Sequence, residues 1–413
     1  KQAIMQLQRI FTVVALGVFL IPVTLKAQQV RIIVSNSGNV QRQELIEVDI
    51  KDIRQKLKLG ENESFVVKNS KTLQQVDYQI THDGKLLVDA GARPRTQAVF
   101  IVEKGEPEKM KHWAYGAQYK IRKDDITWEN DRGAYRVYGP ALQKTGEKSF
   151  GIDIWTKNTP DLVVPNRYRM ELEGNIIEDS LRRLGLNDQA KAIDRATSFH
   201  LDHGYGMDAY SVGPTLGCGA PSLMLGDSLL LPYCYKEYRI LDNGPLRFTM
   251  QLTFNPVRVG KDKAVVEHRI ISLDKGANYN RMTVWYEGLS QPRNLATGVV
   301  LHTEDTTGVV LGSDFLLYAD PTDDMRDNTS QLYVGVLFPK PINEIKKLMY
   351  PKPQGFNAGH LIGIVRGLRN NERYTYYFGS AWSRYDVKSL NEWRVRSEEF
   401  LLSLKNPLKV EIK

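Results

Sequence analysis

The chain has 413 residues, of which 42% are hydrophobic and 25% charged, the balance of an ordinary globular protein long enough for two or three domains. Its formal net charge of +8 favours acidic partners. The sequence has neither a lysine-rich tract nor a nucleic-acid-binding motif, so an acidic glycan is a better candidate partner than nucleic acid.

The first 27 residues have the pattern of a secretory signal peptide. Residues 1–9 carry only positive charge, residues 10–25 are almost wholly apolar, and a polar chain begins near Gln28. The apolar run is shorter than the roughly 20 residues that a membrane-spanning helix needs, and this order of segments is typical of exported proteins. The alternative is a buried N-terminal helix. We expect a periplasmic or secreted protein that keeps no membrane anchor after cleavage.

Residues 28–108 are predicted to form a small antiparallel β-sandwich. Runs such as RIIVSNSG, FVVKN and TQAVFIVEK alternate or are β-branched, and Gly, Pro and Asn separate them, which is typical of strands and turns. His82-Asp83-Gly84 is a tight-turn signal for a hairpin. Residues 50–59 have the spacing of one short amphipathic helix.

Residues 109–413 are predicted to form a larger antiparallel sandwich. Many evenly spaced strands, including LRFTMQLTF, AVVEHRIISL and RYTYYFGSAW, follow one another without helices between them, which indicates an antiparallel fold. Two helices are expected, over 176–196 with a break at 185–187, and over 389–404, where Ser389 and Glu392 form a capping-box pattern. A final strand is expected in NPLKVEIK. The predicted fold class is therefore mostly β with few helices.

The stretch FHLDHGYGMDAYSVGPTLGCGAP (199–221) is rich in polar, aromatic and glycine residues and has no apolar period. Long irregular segments in compact domains are usually functional or disordered, and binding residues often lie on such loops. We predict a functional loop that presents four candidate side chains: the catalytic candidates His203, Asp208 and Tyr210, and the substrate-binding candidate His200. The alternative is a structural crossover whose glycines only permit tight turns.

Two later strands place polar pairs on one face, because residues two apart in a strand share a side. His302 and Glu304 are a candidate acid and base pair, although one His-x-Glu has no specificity and Glu304 could simply hold the histidine. Glu267 and Arg269 are either a structural ion pair or a site for a carboxylate-bearing ligand.

The segment ITWENDRGAYRVYG (126–139), taken as one strand, has no clean core face. Arg, Asn, Tyr and Trp side chains suit sugar, since rings stack on aromatics and hydroxyls need donors and acceptors. Glu129, Asn130 and Arg132 are therefore substrate-binding candidates, as is Trp382 near the end of the chain. Aromatic residues at strand spacing are, however, more often core than binding platform.

Cys218 and Cys234 could form a disulfide in an oxidising compartment, but the sequence leaves their pairing open. Two cysteines without a second pair or a suitably spaced histidine pair are a weak zinc signal. We expect neither a metal nor a cofactor.

Several motifs resemble an exported family, domain of unknown function 4861. They are WENDRGAYRVYGPAL, HLDHGYGMDAYSVGPTLGCGA, YRILDNGPLRFTMQLTF, HRIISLDKGANYNRM and GSAWSR, in order over residues 30–413. The SLDKGANYNR element is also similar to galactose-mutarotase-like super-sandwich proteins. This resemblance implies a small N-terminal β-sandwich (28–108) followed by a super-sandwich (109–413), and a role in polysaccharide breakdown in Gram-negative glycan-utilisation clusters. It implies no reaction, because function lies in sites rather than folds.

Two functions remain open. The first is a periplasmic enzyme, of lyase or hydrolase type, that acts on oligosaccharides containing uronic acid. A histidine or tyrosine base with an arginine for the uronate would suit β-elimination, and two suitably separated carboxylates would suit hydrolysis. The second is a non-catalytic glycan-binding or accessory protein.

Overall fold

The computed structural model describes residues 28–60, 62–231, 233–321 and 330–413. The predicted signal peptide lies outside these ranges. None of the described helices is long and apolar enough to cross a membrane.

The N-terminal region is a small sandwich of two antiparallel sheets, as predicted. One sheet has the order β25-β1-β6-β3 and the other β2-β5-β4. The elements are β1 (Gln29–Asn36), β2 (Arg42–Asp49), α1 (Ile50–Leu57), β3 (Phe65–Asn69), β4 (Tyr78–Ile80), β5 (Lys85–Ala92), β6 (Thr96–Lys104) and, from the far end of the chain, β25 (Lys409–Ile412). The two sheets and α1 enclose one apolar core.

The last strand therefore belongs to the first sheet, where Ile412 lies opposite Ile32. The sequence predicted a final strand, but its partner is more than 370 positions away and no local pattern indicates it. The division at residue 108 places β25 and β1 in different regions although they share one sheet.

A third sheet, of order β10-β9-β8-β7, follows the N-terminal sandwich. Its strands are β7 (Tyr115–Tyr119), β8 (Asp125–Glu129), β9 (Ala134–Val137) and β10 (Asp153–Trp155), and the nearby helices are α2 (Pro140–Gln143), α3 (Val164–Arg183) and α4 (Asn187–Thr197). The predicted helix over 176–196 is thus two helices with the expected break at Gly185, whose φ is +76°. The first of them begins twelve residues earlier than predicted.

The predicted single strand over 126–139 is a hairpin. β8 and β9 pair with Glu129 opposite Ala134, and residues 130–133 form the turn. The side-chain oxygen of Asn130 accepts the backbone N–H groups of Arg132 (2.8 Å) and Gly133 (3.1 Å). This local bond competes with strand pairing, as asparagine side chains commonly do, and it explains why the segment has no continuous strand face.

Two large antiparallel sheets form the main sandwich, which agrees with the predicted fold class. One has the order β12-β11-β18-β23-β22, and the other β13-β14-β16-β17-β24-β21-β20-β19 with β15 paired to β16. Their strands are β11 (Cys218–Leu225), β12 (Ser228–Leu230), β13 (Tyr235–Asn243), β14 (Arg247–Phe254), β15 (Val257–Val259), β16 (Asp262–Asp274), β17 (Tyr279–Glu287), β18 (Arg293–Leu301), β19 (Val309–Leu311), β20 (Phe315–Asp320), β21 (Leu332–Leu337), β22 (Glu344–Gln354), β23 (Asn357–Leu368) and β24 (Tyr374–Trp382).

Alternation along each strand builds the core between these sheets. In β17, Met282, Val284 and Tyr286 are buried while Thr283 and Trp285 between them are only partly covered, because successive strand residues face opposite sides. The largest apolar cluster of the described residues spans both sheets.

The helix α5 (Leu390–Lys405) packs on the outer face of the larger sheet. Ser389 caps its first turn by accepting the N–H of Glu392, and Glu392 accepts the N–H of Lys388, close to the predicted capping box. Trp393 is fully buried, stacks on Tyr279 at 4.9 Å, and donates its indole N–H to a carbonyl of β21. The predicted bounds of this helix are right to one residue.

Candidate functional site

The loop of residues 198–217 crosses the edge of the third sheet and brings an aspartate beside an arginine. Asp208 forms a backbone bridge with Trp155 of β10, and its Oδ2 accepts a hydrogen bond of 2.9 Å from Nη2 of Arg136 on β9. His200 has its Nδ1 3.1 Å from the Asp208 carbonyl and 3.7 Å from Oδ2. The His200 side chain is 61% exposed and that of Asp208 only 3%, so a surface imidazole has a buried carboxylate behind it.

Arg136 is shared by three aspartates. Its Nη2 is 2.5 Å from Oδ2 of Asp153 and 2.9 Å from Asp208, and its Nη1 is 3.9 Å from Asp125. All four side chains are buried. One guanidinium cannot neutralise three carboxylates, and unpaired buried charge is costly, so at least one carboxyl keeps its proton near neutral pH. We call these four residues, with His200 and Tyr138, the Arg136 cluster.

The pKa values of the cluster follow from burial. Desolvation raises the pKa of Asp125 to about 6 against the opposing effect of Arg136. It raises that of Asp153 to about 8, with Arg136 opposing and Asp208 adding to the shift. A pKa of about 8 keeps the proton of Asp153 at neutral pH, whereas Asp125 loses its proton just below neutrality. Raised carboxyl pKa values concentrate at functional sites.

The rim of the cluster adds a phenol and a second guanidinium. The Tyr138 ring lies 4.9 Å from the Arg136 guanidinium, with its hydroxyl 3.4 Å from Nη2. Burial and the nearby carboxylates raise the pKa of Tyr138 well above its ordinary value, so it remains a neutral phenol. Arg122 lies over the Phe199 ring at 5.0 Å and 3.6 Å from Glu171, and it is partly exposed.

The predicted catalytic residue His203 is bound within its own turn. Its Nε2 lies 2.9 Å from the carbonyl of Ser198. The adjacent Asp202 accepts the N–H groups of two glycines in the same turn and pairs with Arg384 at 3.0 Å. These contacts close the turn that contains His203. The His203 ring has no carboxylate partner among the described residues.

Two further predicted residues, Tyr210 and His302, lie together but in the interior, with ring centroids 5.2 Å apart. His302 has Nδ1 2.7 Å from Asp320 and Nε2 2.8 Å from the carbonyl of Ser211. With Asp320 ionised, both partners are acceptors, and the ring then makes both bonds as an imidazolium. The loop therefore does contact His302, but His302, Asp320 and Tyr210 are all largely buried.

The predicted pairing of His302 with Glu304 is wrong. β18 ends at Leu301, so residues 302–304 form a bend and do not share a strand face. Glu304 is exposed, and the carboxylate partner of His302 is Asp320 on β20.

The substrate-binding candidates of the hairpin turn are mostly structural. Glu129 is buried, bonds Lys157 at 2.7 Å, and accepts the first N–H groups of α3, where a carboxylate is favourable. Asn130 bonds two carbonyls of the turn after β16. Only Arg132 remains substantially accessible, at 31% exposure, and it pairs with Asp386.

The other substrate-binding candidates lie in the interior. Glu267 and Arg269 form a buried ion pair within β16, with the guanidinium 4.2 Å from the Phe254 ring. Burial raises the pKa of Glu267 although Arg269 opposes the shift. Trp382 is buried in a small cluster with Met207. These observations favour the structural alternative for all three candidates.

The two cysteines are free in this structure. Cys218 is buried with Sγ 3.6 Å from the carbonyl of Gly379, and Cys234 contacts Oε1 of Gln143 at 2.9 Å. The sequence left the pairing of these two cysteines undecided, and in this structure they are not paired. Within the described ranges, no group of three or more His, Cys, Asp or Glu side chains could hold a metal ion.

Sequence reasoning did not select four members of the cluster, Asp125, Arg136, Tyr138 and Asp153. The available signal was the lack of a clean core face over residues 126–139, which includes Arg136 and Tyr138. Asp125 and Asp153 each open a short strand, DITWE and DIW. A charged residue at the start of a strand is ordinary, and so nothing in the pattern marked these two as buried.

Comparison with known proteins gives a family and a fold. The family described as a domain of unknown function (DUF4861) matches residues 34–410. An uncharacterized protein, P7, of Formosa agariphila is 26% identical over 405 residues, covering 92% of this chain and 93% of that protein.

Among solved structures, a protein in the glycosyl hydrolase family 38 from Enterococcus faecalis matches with a TM-score of 0.52 at 10% identity, covering 94% of this chain and 47% of that chain. An alpha-mannosidase from E. faecalis V583 gives a TM-score of 0.49 at 11% identity, covering 94% and 46%. The chain spans about half the length of these structures, and the first likeness shows the fold alone.

Proposed function

This chain belongs to the DUF4861 family, whose description names no activity, and from the geometry of the Arg136 cluster we propose that it cleaves uronic-acid-containing oligosaccharides by β-elimination. The observation that carries the proposal is the exposed imidazole of His200 with the buried carboxylate of Asp208 behind it. The Enterococcus faecalis protein of similar fold belongs to glycosyl hydrolase family 38, which supports a saccharide as the substrate.

His200 is the proposed base. Its Nδ1 faces Asp208, which leaves Nε2 directed away from the carboxylate to take the C5 proton beside the uronate carboxylate. Asp208, held by Arg136, stabilises the imidazolium that forms, as a carboxylate does in a catalytic triad. The electrons of the broken C5–H bond form the C4–C5 double bond.

Tyr138 is the proposed acid. As the C4–O bond breaks, the leaving oxygen takes the phenolic proton that Tyr138 retains at neutral pH. Arg122 is the proposed contact for the uronate carboxylate, since its side chain lies beside the cluster and is 25% exposed. A guanidinium there would stabilise the charge that develops next to the lost proton.

Hydrolysis has less support from this geometry. A glycosidase needs two carboxyl groups that flank the scissile bond. The three aspartates of the cluster instead surround one buried guanidinium, which leaves no room for a sugar between them.

The second candidate function is glycan binding without turnover. It is favoured by the internal bonds that hold His203 and His302, which remove two expected catalytic groups. In both cases we place the protein in the periplasm, on the signal-peptide pattern of residues 1–27.

The test is a screen of the purified protein against pectic, ulvan-like and glycosaminoglycan oligosaccharides, with the ultraviolet absorbance of the unsaturated product as the readout. We expect His200→Gln to lower kcat by about 100-fold or more while the melting temperature stays close to wild type. His203→Gln is the matched control in the same loop and should keep kcat. Full activity in His200→Gln would overturn the proposal, and binding of a substrate without any turnover would favour the second function.

A further inference from the structure

A long groove lies away from the Arg136 cluster, between the N-terminal sandwich and α5. It consists of a cleft of about 1070 Å³ and an adjoining one of about 540 Å³, which share Arg132, Tyr279 and Phe400 in their walls. Ligand sites commonly occur where two structural units meet, and their usual volumes are of this order. Neither cleft includes a residue of the Arg136 cluster.

The net charge of the lining residues differs between the two clefts of the groove. Five basic and two acidic side chains line the larger cleft, while four basic and five acidic ones line the smaller cleft. An anionic group is therefore favoured in the larger cleft, and the smaller cleft offers both donors and acceptors to neutral hydroxyls.

The excess positive charge can be located by setting aside the side chains that are already paired elsewhere. In the larger cleft, Arg42 pairs with Glu44, Lys405 pairs with an acid outside the lining, and Lys409 shares Glu411 with Lys413. Arg132, Arg396 and the acidic Glu399 remain.

These two arginines share one carboxylate. Nη1 of each contacts the same oxygen, Oδ2 of Asp386. Arg132 also donates Nε to the carbonyl of Gly276 at 2.9 Å, and Arg396 donates to Asn278 at 3.1 Å. Two guanidiniums on one carboxylate leave a net positive charge held in fixed geometry.

Both arginines still have capacity for a ligand. Their side chains are 31% and 35% exposed. Nη2 of Arg132 and Nε of Arg396 make no hydrogen bond to a described residue. Glu399, one turn along α5, is exposed and makes no ion pair with any described residue. A carboxylate or sulfate oxygen is the group that such donors bind most strongly.

The rest of the groove suits sugar rings. The partly exposed ring of Phe400 forms part of its wall and packs on the buried ring of Tyr279, 5.1 Å away. In the smaller cleft, Arg247 bonds Asp274 and Lys275 bonds Asp89, and such pairs offer both donors and acceptors to hydroxyl groups.

We propose that this groove is a second saccharide site, in which Arg132 and Arg396 bind the carboxylate or sulfate of an acidic oligosaccharide. The choice of a saccharide rests on the proposed function. The anion site itself does not depend on His200, so the two proposals fail separately.

The experiment measures binding by calorimetry to the full protein with three probes of equal length: an oligogalacturonide, a sulfated galactan oligosaccharide and a neutral galactan oligosaccharide. We expect one acidic probe to bind at least tenfold more tightly than the neutral one, with affinity that falls as salt rises. Arg132→Gln and Arg396→Gln should each remove at least tenfold of that affinity. Which acidic probe binds decides between carboxylate and sulfate.

Arg394→Gln is the matched control, because it removes the same charge from the same helix outside the groove. An equal loss in this variant, or equal binding of the neutral and acidic probes, overturns the anion site. Arg132→Lys, which keeps the charge but not the planar fork, replaces Arg132→Gln if that variant fails to fold, and should also bind more weakly. Acidic binding without turnover would leave the groove proposal intact and reject the lyase, whereas unchanged binding in both arginine variants with normal turnover would do the reverse.

Discussion

Replacing Asp125 by Asn tests whether the Arg136 cluster holds a proton. Asp125 is buried 3.9 Å from Nη1 of Arg136, with the Tyr168 hydroxyl 3.5 Å from its Oδ2. Its other oxygen is buried without a hydrogen-bond partner among the described residues. Asparagine has nearly the shape of the protonated acid but cannot ionise. The variant should therefore resemble wild type at low pH and differ from it at high pH.

The direction and size of the change in stability with pH follow from the pKa of Asp125. Burial raises that pKa from 3.8 to about 6 in the folded protein, so the folded state binds more protons than the unfolded state between these values. The stability of wild type therefore falls as pH rises through this window. A difference of about two pKa units is worth about 3 kcal/mol. The free energy of unfolding of the variant, relative to wild type, should rise by about that amount between about pH 4 and pH 7.

The assay is urea unfolding of both proteins across this pH range at constant ionic strength. Asp274→Asn is the control with the opposite sign. Burial raises the pKa of Asp274, but Arg247 lowers it further, so that it lies below the ordinary value. Wild type should gain stability over Asp274→Asn as pH rises toward the ordinary value of 3.8, so this pair is measured down to about pH 2.5. A flat difference between Asp125→Asn and wild type would show that the pKa of Asp125 is not raised in the folded protein, and the argument that burial shifts it against Arg136 would fail.

Two further predictions concern packing and a buried charge. Trp393→Ala should lower the free energy of unfolding by about 3–5 kcal/mol because it leaves a cavity between α5 and the sheet. Arg394→Ala, at a partly exposed position of the same helix, should change it by less than about 0.5 kcal/mol. Equal losses in urea unfolding would contradict this. His302→Ala should cost about 3–5 kcal/mol because Asp320 loses its cation, whereas His203→Ala removes one loop hydrogen bond and should cost about 1 kcal/mol. The same unfolding assay measures both losses. A larger loss for His203→Ala than for His302→Ala would mean that His203 belongs to the interior network.

The sequence predicted most of the fold because its signals are local. The capping box at Ser389 and Glu392 determines where α5 begins, and the glycine at 185 ends α3. Alternation in strands such as β17 marks the core face without knowledge of the partner strand. The early start of α3 was missed because its first turns are capped from a distance, by the carboxylate of Glu129, and no residue nearby in sequence signals this.

The candidate site was only partly predictable for the same reason. The polar stretch 199–221 and the segment 126–139 are both unusual in sequence, and they do meet, at Asp208 and Arg136. Their chemical partners come from elsewhere in the chain, however. His302 pairs with Asp320 across two strands and not with the neighbouring Glu304, since the bend after β18 turns the chain out of its strand.

Charge balance provides the information that strand spacing lacks. Many of the buried or half-buried ions of the described chain pair one to one, as Glu267 does with Arg269. Such pairs are electrically balanced and leave no net charge to attract an anionic ligand. Among the places that depart from this balance, two do so in opposite directions, with three carboxyls on Arg136 and two guanidiniums on Asp386. The first place has more carboxyls than cations and lies beside His200 and Tyr138, the proposed base and acid. The second has more guanidiniums than carboxylates, and binding of an acidic sugar is proposed there.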